Sequence, residues 1–189
     1  MISPDDFRNR WAAAPYASKL ISVSTASLAG LSISDNTVAF LTSAGLPADA
    51  APFLSFGELG EGTLHTVAEQ YSLASDFDCY HKIGSDDAGN PICFDGTKLD
   101  AIVYLDHDAK FNCVFINGSV SQLAESLLVY QSLVQQTQER NGEDAYLDGD
   151  IPEDVLLWLE TEIARIDSAA LADGCFWNTE LASLRQEAT

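Results

Sequence analysis

Four cysteines and three histidines are the residues of this chain best suited to bind a metal ion. Cys79 and His81 stand two residues apart in a segment of strand character, so their side chains share one face. If the following turn centres on Asp87-Ala88, Lys82 pairs with Cys93, and Cys93 then points to the opposite face. The spacing also matches no zinc finger or ribbon. We therefore predict no metal site and no cofactor, with the cysteines as reduced core residues.

Carboxylates crowd into two short segments, Asp86-Asp87-Ala88-Gly89-Asn90 and Asp106-His107-Asp108. A calcium loop alternates oxygen ligands over about twelve residues and ends in a bidentate glutamate, and neither segment does this. Asp, Asn and Gly tolerate the backbone geometry of tight turns. Turn formation is therefore the favoured interpretation of both segments.

Nucleophilic and acid–base catalysis lack a recognisable set of groups. The chain contains no G-x-S-x-G elbow, no H-E-x-x-H pair and no glycine-rich phosphate loop followed by lysine. His65, His81 and His107 could each act as a base, but no nucleophile is indicated beside any of them. We expect His81 to pack in a sheet and His107 to lie in a turn. The chain is therefore predicted not to be an enzyme.

Acidic residues also dominate the third quarter of the chain. Residues 139–173 contain eleven acids against Arg140 and Arg165, a net charge of −9. Such a run is usually a solvated helix face, but acids in loops are freer to serve a partner. The acids of the hairpin turns and of the loop near residues 139–149 could form one acidic rim. The predicted partner-binding residues are Asp86, Asp87, Asp106, Asp108, Glu143, Asp144, Asp148 and Asp150.

The overall composition agrees with binding to a basic protein. Of 189 residues, 47% are hydrophobic, which suits a globular domain, and 29 acids against 9 bases give a net charge of −20. Such a charge repels nucleic acid and anionic membranes and attracts basic partners. Solubility alone, or adaptation to high salt, is the alternative explanation. The amino terminus has no basic segment followed by an apolar run, so we expect no signal peptide and a cytoplasmic protein.

Two antiparallel hairpins are predicted at the centre of the chain. The turn 85–90 separates strands 79–84 and 91–95, and the turn 106–110 separates strands 101–105 and 111–117. Residues 101–105 are apolar on both faces, which predicts a strand covered on both sides. Residues 20–33 could be strand or loop, residues 51–62 a loop, and residues 64–74 helix or strand.

Helices are predicted on both sides of the hairpins. Ser3 is a suitable cap for the first helix, Ser34 or Asp35 opens the second, and Gly45 with Pro47 ends the second. Ser119 opens a long helix with Gln122 as its capping-box partner. Asp150, followed by proline and glutamate, is expected to cap the next helix. A final helix places Trp177, Leu181 and Leu184 on one face.

The order of these elements and their motifs resembles the SUKH superfamily. The resemblance covers residues 37–130, with a tryptophan segment at 175–184 like the tail of one immunity subgroup. Its motifs are Gly45-Leu46-Pro47, Ile83-Gly84-Ser85-Asp86, Gly89-Asn90-Pro91-Ile92, Val103-Tyr104-Leu105-Asp106-His107 and Phe115-Ile116-Asn117-Gly118-Ser119. It implies an α+β fold with a bent antiparallel sheet packed by helices. We expect one domain over residues 1–189, with a core near 34–138 and a helical carboxy-terminal extension at 150–187.

The same resemblance implies a function. Many bacterial SUKH proteins are immunity proteins that neutralise toxins, often nucleases, and it supplies no catalytic residues. We therefore expect a protein that binds a cognate, basic, nuclease-type toxin domain and blocks it by occlusion. A non-catalytic regulatory or scaffolding module of the same fold is the alternative.

Overall fold

The structure is a computed structural model that describes residues 1–60 and 62–187. The predicted domain of residues 1–189 also includes Glu61, Ala188 and Thr189, which lie outside the described residues. The described helices are α1 Pro4–Ala13, α2 Asp35–Ser43, α3 Val67–Tyr71, α4 Val120–Asn141, α5 Glu153–Ile166 and α6 Phe176–Glu187. The strands are β1 Leu20–Ile21, β2 Leu46–Pro47, β3 Asp49–Ala50, β4 Leu54–Ser55, β5 Tyr80–Ser85, β6 Pro91–Asp95, β7 Ile102–Asp106 and β8 Asn112–Asn117.

Six of the strands form one antiparallel sheet in the order β3-β4-β5-β6-β7-β8, while β1 pairs with β2 separately. Both predicted hairpins are confirmed, as β5–β6 and β7–β8. Lys82 pairs with Cys93 and His81 with Phe94, which is the predicted register. Cys93 therefore lies on the opposite face of the sheet from His81.

Apolar clusters cover both faces of this sheet. Ile102 belongs to the main cluster with the helices, which runs from Phe7 in α1 to Leu184 in α6. Val103 and Leu105, which point the other way, belong to a second cluster beneath the α3 region. The prediction that strand 101–105 is a central strand covered on both sides is confirmed, because β7 lies between β6 and β8 and each of its faces belongs to one of these clusters. The α+β prediction, an antiparallel sheet packed by helices, is also confirmed.

Most predicted helix starts agree with the structure. The side chains of Ser3, Ser34 and Ser119 each accept a hydrogen bond from the backbone N–H three residues later. Gln122 does not complete a capping box, because its Oε1 accepts from the Ser119 hydroxyl at 2.9 Å and not from the Ser119 backbone N–H. Its Nε2 donates to the carbonyl of Ile166 at 3.0 Å. The start of α4 is thereby tied to the end of α5.

The predicted cap of α5 is wrong. Pro152 occupies the N-cap position, and no side chain caps the helix. Asp150 belongs to the preceding turn, where its N–H donates to Ala145 O at 2.8 Å and its carbonyl accepts from Asn141 Nδ2 at 2.9 Å. An acid near the start of a helix is favourable even when it does not cap the helix. The first turn of α5 already holds two such acids, Glu153 and Asp154.

The segments whose structure was left open resolve into short elements. Residues 20–33 provide β1 and a 3₁₀ turn at Thr25–Leu28, and residues 64–74 provide the helix α3. The predicted loop 51–62 contains β4 and a 3₁₀ turn at Gly57–Gly60. Each element is too short for a periodic apolar pattern to identify it.

Gly84 allows the β3–β4 hairpin to join the sheet. Ser55 of β4 pairs with Ser85 of β5, and a Cβ on Gly84 would lie 2.3 Å from the Ser55 carbonyl oxygen. That distance is shorter than any real contact, so only glycine lets β4 approach β5 here. The hairpin forms one wall of the candidate site.

Candidate functional site

A groove of about 550 Å³ lies where the end of α1, the β3–β4 hairpin, the β5–β6 turn and α4 meet. Its apolar lining includes Trp11, Pro15, Ala50, Leu54 and Val134. Apolar concave surfaces with a few polar groups at their margins are typical of binding sites. This feature, here called the groove, is the candidate site.

Two exposed aromatic residues stand at the groove. Tyr16 follows α1 and is 80% exposed, and Phe53 lies between β3 and β4 and is 62% exposed. Both have left-handed backbones, with φ of 58° and 56°. A non-glycine residue in this conformation costs about 1–3 kcal/mol, so the surrounding fold must impose it. An exposed ring in an imposed conformation is a feature of binding surfaces more than of cores.

Hydrogen bonds fix the backbone that carries these rings. Trp11 Nε1 donates to Ser18 O at 2.9 Å, and Gln131 Nε2 of α4 donates to Pro15 O at 2.7 Å. Ser18 Oγ donates to Asp49 O at 2.6 Å and accepts from Asp49 N at 3.1 Å. The segment with Tyr16 is thus anchored to the hairpin with Phe53 and to α4, so the groove is formed before any partner arrives.

Carboxylates surround the groove. Asp49, Asp86 and Asp87 line it, and a recess that shares Tyr16 and Gln138 with it adds Glu139 and Glu143. These five are called the rim carboxylates below. None of the described residues that line the groove or the recess is basic. No Lys, Arg or His among residues 1–60 and 62–187 forms an ion pair with a rim carboxylate.

The two hairpin turns lie side by side, and part of their charge is used to hold them. Both carboxylate oxygens of Asp86 accept from Asn90, at 2.7 and 2.8 Å, and Asn90 Oδ1 accepts from His107 N at 2.9 Å. Asp106 Oδ1 accepts from the amides of Asp108 and Ala109. Asp86 and Asp106 are thus turn-forming residues, as the composition of the turns indicated. Asp106 and Asp108 do not line the groove.

Tyr104 lies between these turns. Burial raises the pKa of its hydroxyl, and the nearby carboxylates of Asp106 and Asp86 raise it further. The negative potential of the two turns therefore overlaps at one place on the sheet.

Fewer acids of the loop 142–150 lie at the groove or the recess than the sequence predicted. Glu143 reaches the recess beside the groove, but Asp144, Asp148 and Asp150, although exposed, line neither the groove nor the recess. The loop instead supplies Tyr146, which lines the groove. The Tyr146 and Tyr130 hydroxyls are 3.0 Å apart, and Tyr130 donates to Glu180 of α6. The loop position therefore depends on the carboxy-terminal helix.

A comparison with known protein families identifies the family to which the chain belongs. The family described as SUKH-4 immunity protein matches residues 12–183, which include every residue that lines the groove except Trp11. The chain belongs to the SUKH-4 immunity protein family. Its membership supports an immunity function and a toxin protein as the partner. Comparison with curated proteins and with solved structures found no match.

Other chemistry has little support in this SUKH-4 protein. No group of three or more His, Cys, Asp or Glu residues within residues 1–60 and 62–187 could hold a metal ion. The cysteines are free, and burial raises the pKa of the Cys93 thiol, which makes that thiol unreactive. His81 lies in β5, and burial lowers its pKa, while His107 lies in a turn as expected. In the described chain, no helix is both long and apolar enough to span a bilayer.

Several residues that line the groove were not predicted from the sequence, among them Asp49, Tyr16 and Phe53. A signal for the two aromatics was present: both follow Ala-Pro, in Ala14-Pro15-Tyr16 and Ala51-Pro52-Phe53. Proline after alanine indicates a turn or an extended connection, and a large ring in such a place is often exposed. No comparable signal identifies Asp49, because its position depends on the contact with Ser18.

Proposed function

We propose that this SUKH-4 protein binds a toxin domain with a basic, nuclease-type surface and neutralises it by occlusion, without catalysis and in the cytoplasm. The observation that carries the proposal is the set of rim carboxylates without ion pairs around an apolar groove. A nuclease must hold phosphates and therefore presents Lys and Arg. An acidic surface that meets this basic surface would exclude the nucleic acid.

Electrostatics favours fast capture. Complementary potentials steer encounters and can raise the association rate constant to about 10⁸–10⁹ M⁻¹s⁻¹ at low salt. Unpaired like charges repel one another at the rim, and a cationic partner relieves that repulsion. The net charge of −20 extends the attraction beyond the groove.

We also propose that Asp106, Asp108, Asp144, Asp148 and Asp150 act through this long-range field, while Asp86, Asp87 and Glu143 lie closest to the partner. The chain would act as one SUKH-like domain. Support for one domain is the shared apolar cluster, which contains residues from both terminal helices.

The test uses the toxin domain that we expect to be encoded beside this protein, with its binding followed by stopped flow and its activity by substrate cleavage. The double variant Asp87→Asn, Glu143→Gln should lower the association rate about three- to tenfold at low salt. The effect should shrink as NaCl rises from about 50 mM to about 500 mM. The control double variant Asp76→Asn, Asp173→Asn removes the same charge from exposed positions outside the groove.

The control should change the rate by less than about twofold. Equal effects of the two double variants would show that net charge acts without a defined rim. Tight binding that ignores salt would show that the toxin surface is not basic. Cleavage by the toxin that continues in a saturated complex would contradict occlusion.

A further inference from the structure

The exposed rings of Tyr16 and Phe53 have no structural task in the isolated protein. Both stand at a groove whose walls already bury Trp11 and Leu54, so the core does not need them. In protein interfaces, the residues that contribute most are aromatic, lie on an apolar patch and are ringed by polar groups. Tyr16 and Phe53 have this setting, with the rim carboxylates as the ring.

Their preorganisation favours tight binding. The reciprocal bonds of Ser18 with Asp49 link the two ring-bearing segments, and Ser55 Oγ donates to Ala48 O at 3.1 Å on the far side of the hairpin. A partner therefore meets two rings on fixed backbones and loses little conformational entropy in ordering them.

We propose that the groove is the primary contact for the toxin and that it receives a basic toxin segment with an aliphatic or aromatic side chain between lysines or arginines. The apolar side chain enters between Tyr16 and Phe53 and packs on Val134, while its basic neighbours meet Asp49, Asp87 and Glu143. This inference rests on the proposed immunity function and adds the place and chemistry of the contact.

Charge and shape select this occupant. The apolar lining requires a side chain without charge at the centre, and the acidic rim requires positive charge on both sides of it. A small molecule is a poorer match, because the two rings project from the surface and do not enclose a ligand. Only a partner of protein size can cover them together with the rim.

The experiment measures the dissociation constant of the neighbouring toxin domain by calorimetry for Tyr16→Ala, Phe53→Ala and the double variant. Each single variant should bind at least about tenfold more weakly, and the double variant about 100-fold. The ring-preserving variants Tyr16→Phe and Phe53→Tyr should stay within about threefold. Leu99→Ala and Leu157→Ala remove exposed apolar side chains outside the groove and are matched controls with no expected effect.

Hydrogen exchange supplies a second measurement on the wild-type complex. Toxin should slow exchange in residues 14–18 and 49–55 and in the turn 85–90, with the 96–100 loop unchanged. Because Tyr16 and Phe53 are exposed, their truncation should leave the unfolding midpoint near that of Leu99→Ala, which separates lost contact from lost folding.

The outcomes distinguish this inference from the proposed function. Wild-type binding that both alanine variants retain, with exchange protection elsewhere, overturns the groove and leaves the immunity function in place. Absence of wild-type binding overturns both. Binding lost equally in the ring-preserving variants would also contradict the inference, because shape and apolar area are kept there.

Discussion

The acids near the groove and the acids of the carboxy-terminal helices are used differently. In the helices, Arg140 pairs with Asp154 at 2.6 Å, Arg185 with Glu160 at 2.6 Å, and Arg165 with both Glu125 and Glu162 at 2.9 Å. Around the groove, the rim carboxylates have no cationic partner within the described chain. Acidic residues therefore form ion pairs that stabilise the helices, whereas the negative charge of the rim carboxylates stays available to attract a cationic partner.

The aromatic residues of the two regions also differ, because one region buries its ring and the other exposes its rings. Trp177 is fully buried, and its Nε1 donates to Asn117 Oδ1 at 3.0 Å, while Asn117 and the Gly118 amide contact Asp167. Tyr16 and Phe53, in contrast, are exposed. The carboxy-terminal region thus contributes a buried aromatic residue to the core, whereas the two rings at the groove stay exposed.

The sharpest test of this contrast compares Trp177→Ala with Tyr16→Ala, since each removes one aromatic ring. Trp177→Ala should lower the free energy of unfolding by about 3–5 kcal/mol, because it opens a cavity and leaves Asn117 without its donor. Tyr16→Ala should lower it by less than about 0.5 kcal/mol. Urea denaturation measures both, and similar losses would remove the distinction between the two regions.

A second test asks whether the groove depends on one close approach in the sheet. Gly84→Ala places a Cβ against Ser55 O and the Phe56 ring, so β4 must move away from β5. We expect a stability loss of about 1–3 kcal/mol and weaker toxin binding, since the hairpin with Phe53 shifts. Gly57→Ala is the control, because the nearest atom to its Cβ would be Ser55 Oγ at 3.9 Å.

Exchange of the Phe56 amide, which donates to Ala48 O at 2.9 Å, reports on the hairpin directly. It should quicken in Gly84→Ala and stay unchanged in Gly57→Ala. If Gly84→Ala lost stability but kept full affinity for the toxin, the position of the hairpin would not matter for binding.

Local patterns predicted the sheet and the longer helices well. The turn composition between residues 85 and 90 and between 106 and 110 determines both hairpins, and serine caps begin α1, α2 and α4. The short strands of residues 20–55 were not predictable, because each is only two residues long and the pairings of β1 with β2 and of β4 with β5 depend on distant segments. The hairpin of β3 with β4 is local, but its place in the sheet depends on the pairing of Ser55 with Ser85.

The site was predicted only in part for the same reason. The acid-rich segments include Asp86 and Asp87, which line the groove, and Glu143, which lines the recess, and their contact with a partner stays a prediction. The sequence could not show that Asp86 is held by Asn90 or that Asp150 belongs to a turn. Nor could it bring Tyr16, Phe53 and α4 together, since α4 is joined to the segment before Tyr16 by a tertiary hydrogen bond from Gln131 Nε2 to Pro15 O.

We expect the smallest effect on stability at Tyr146, which lines the groove and is joined through Tyr130 to Glu180 of the carboxy-terminal helix. Tyr130 has a single hydroxyl proton, which it gives to Glu180, so Tyr146 must be the donor in its bond to Tyr130. Tyr146→Phe removes that donor and should lower the free energy of unfolding by about 1 kcal/mol. Tyr16→Phe is the control, because its exposed hydroxyl should make no difference. Hydrogen exchange should quicken in residues 142–150 of the Tyr146→Phe variant alone.

The toxin affinity of Tyr146→Phe then decides how far the regions are independent. A loss of about two- to fivefold with faster exchange in 142–150 would mean that α6 sets the position of Glu143 at the groove through Tyr130. Unchanged affinity with faster exchange would mean that the rim tolerates a loose loop. The groove would then function through Tyr16, Phe53 and the hairpin turns alone, because these are anchored by Trp11, Gln131 and Asn90 and not by the carboxy-terminal helix.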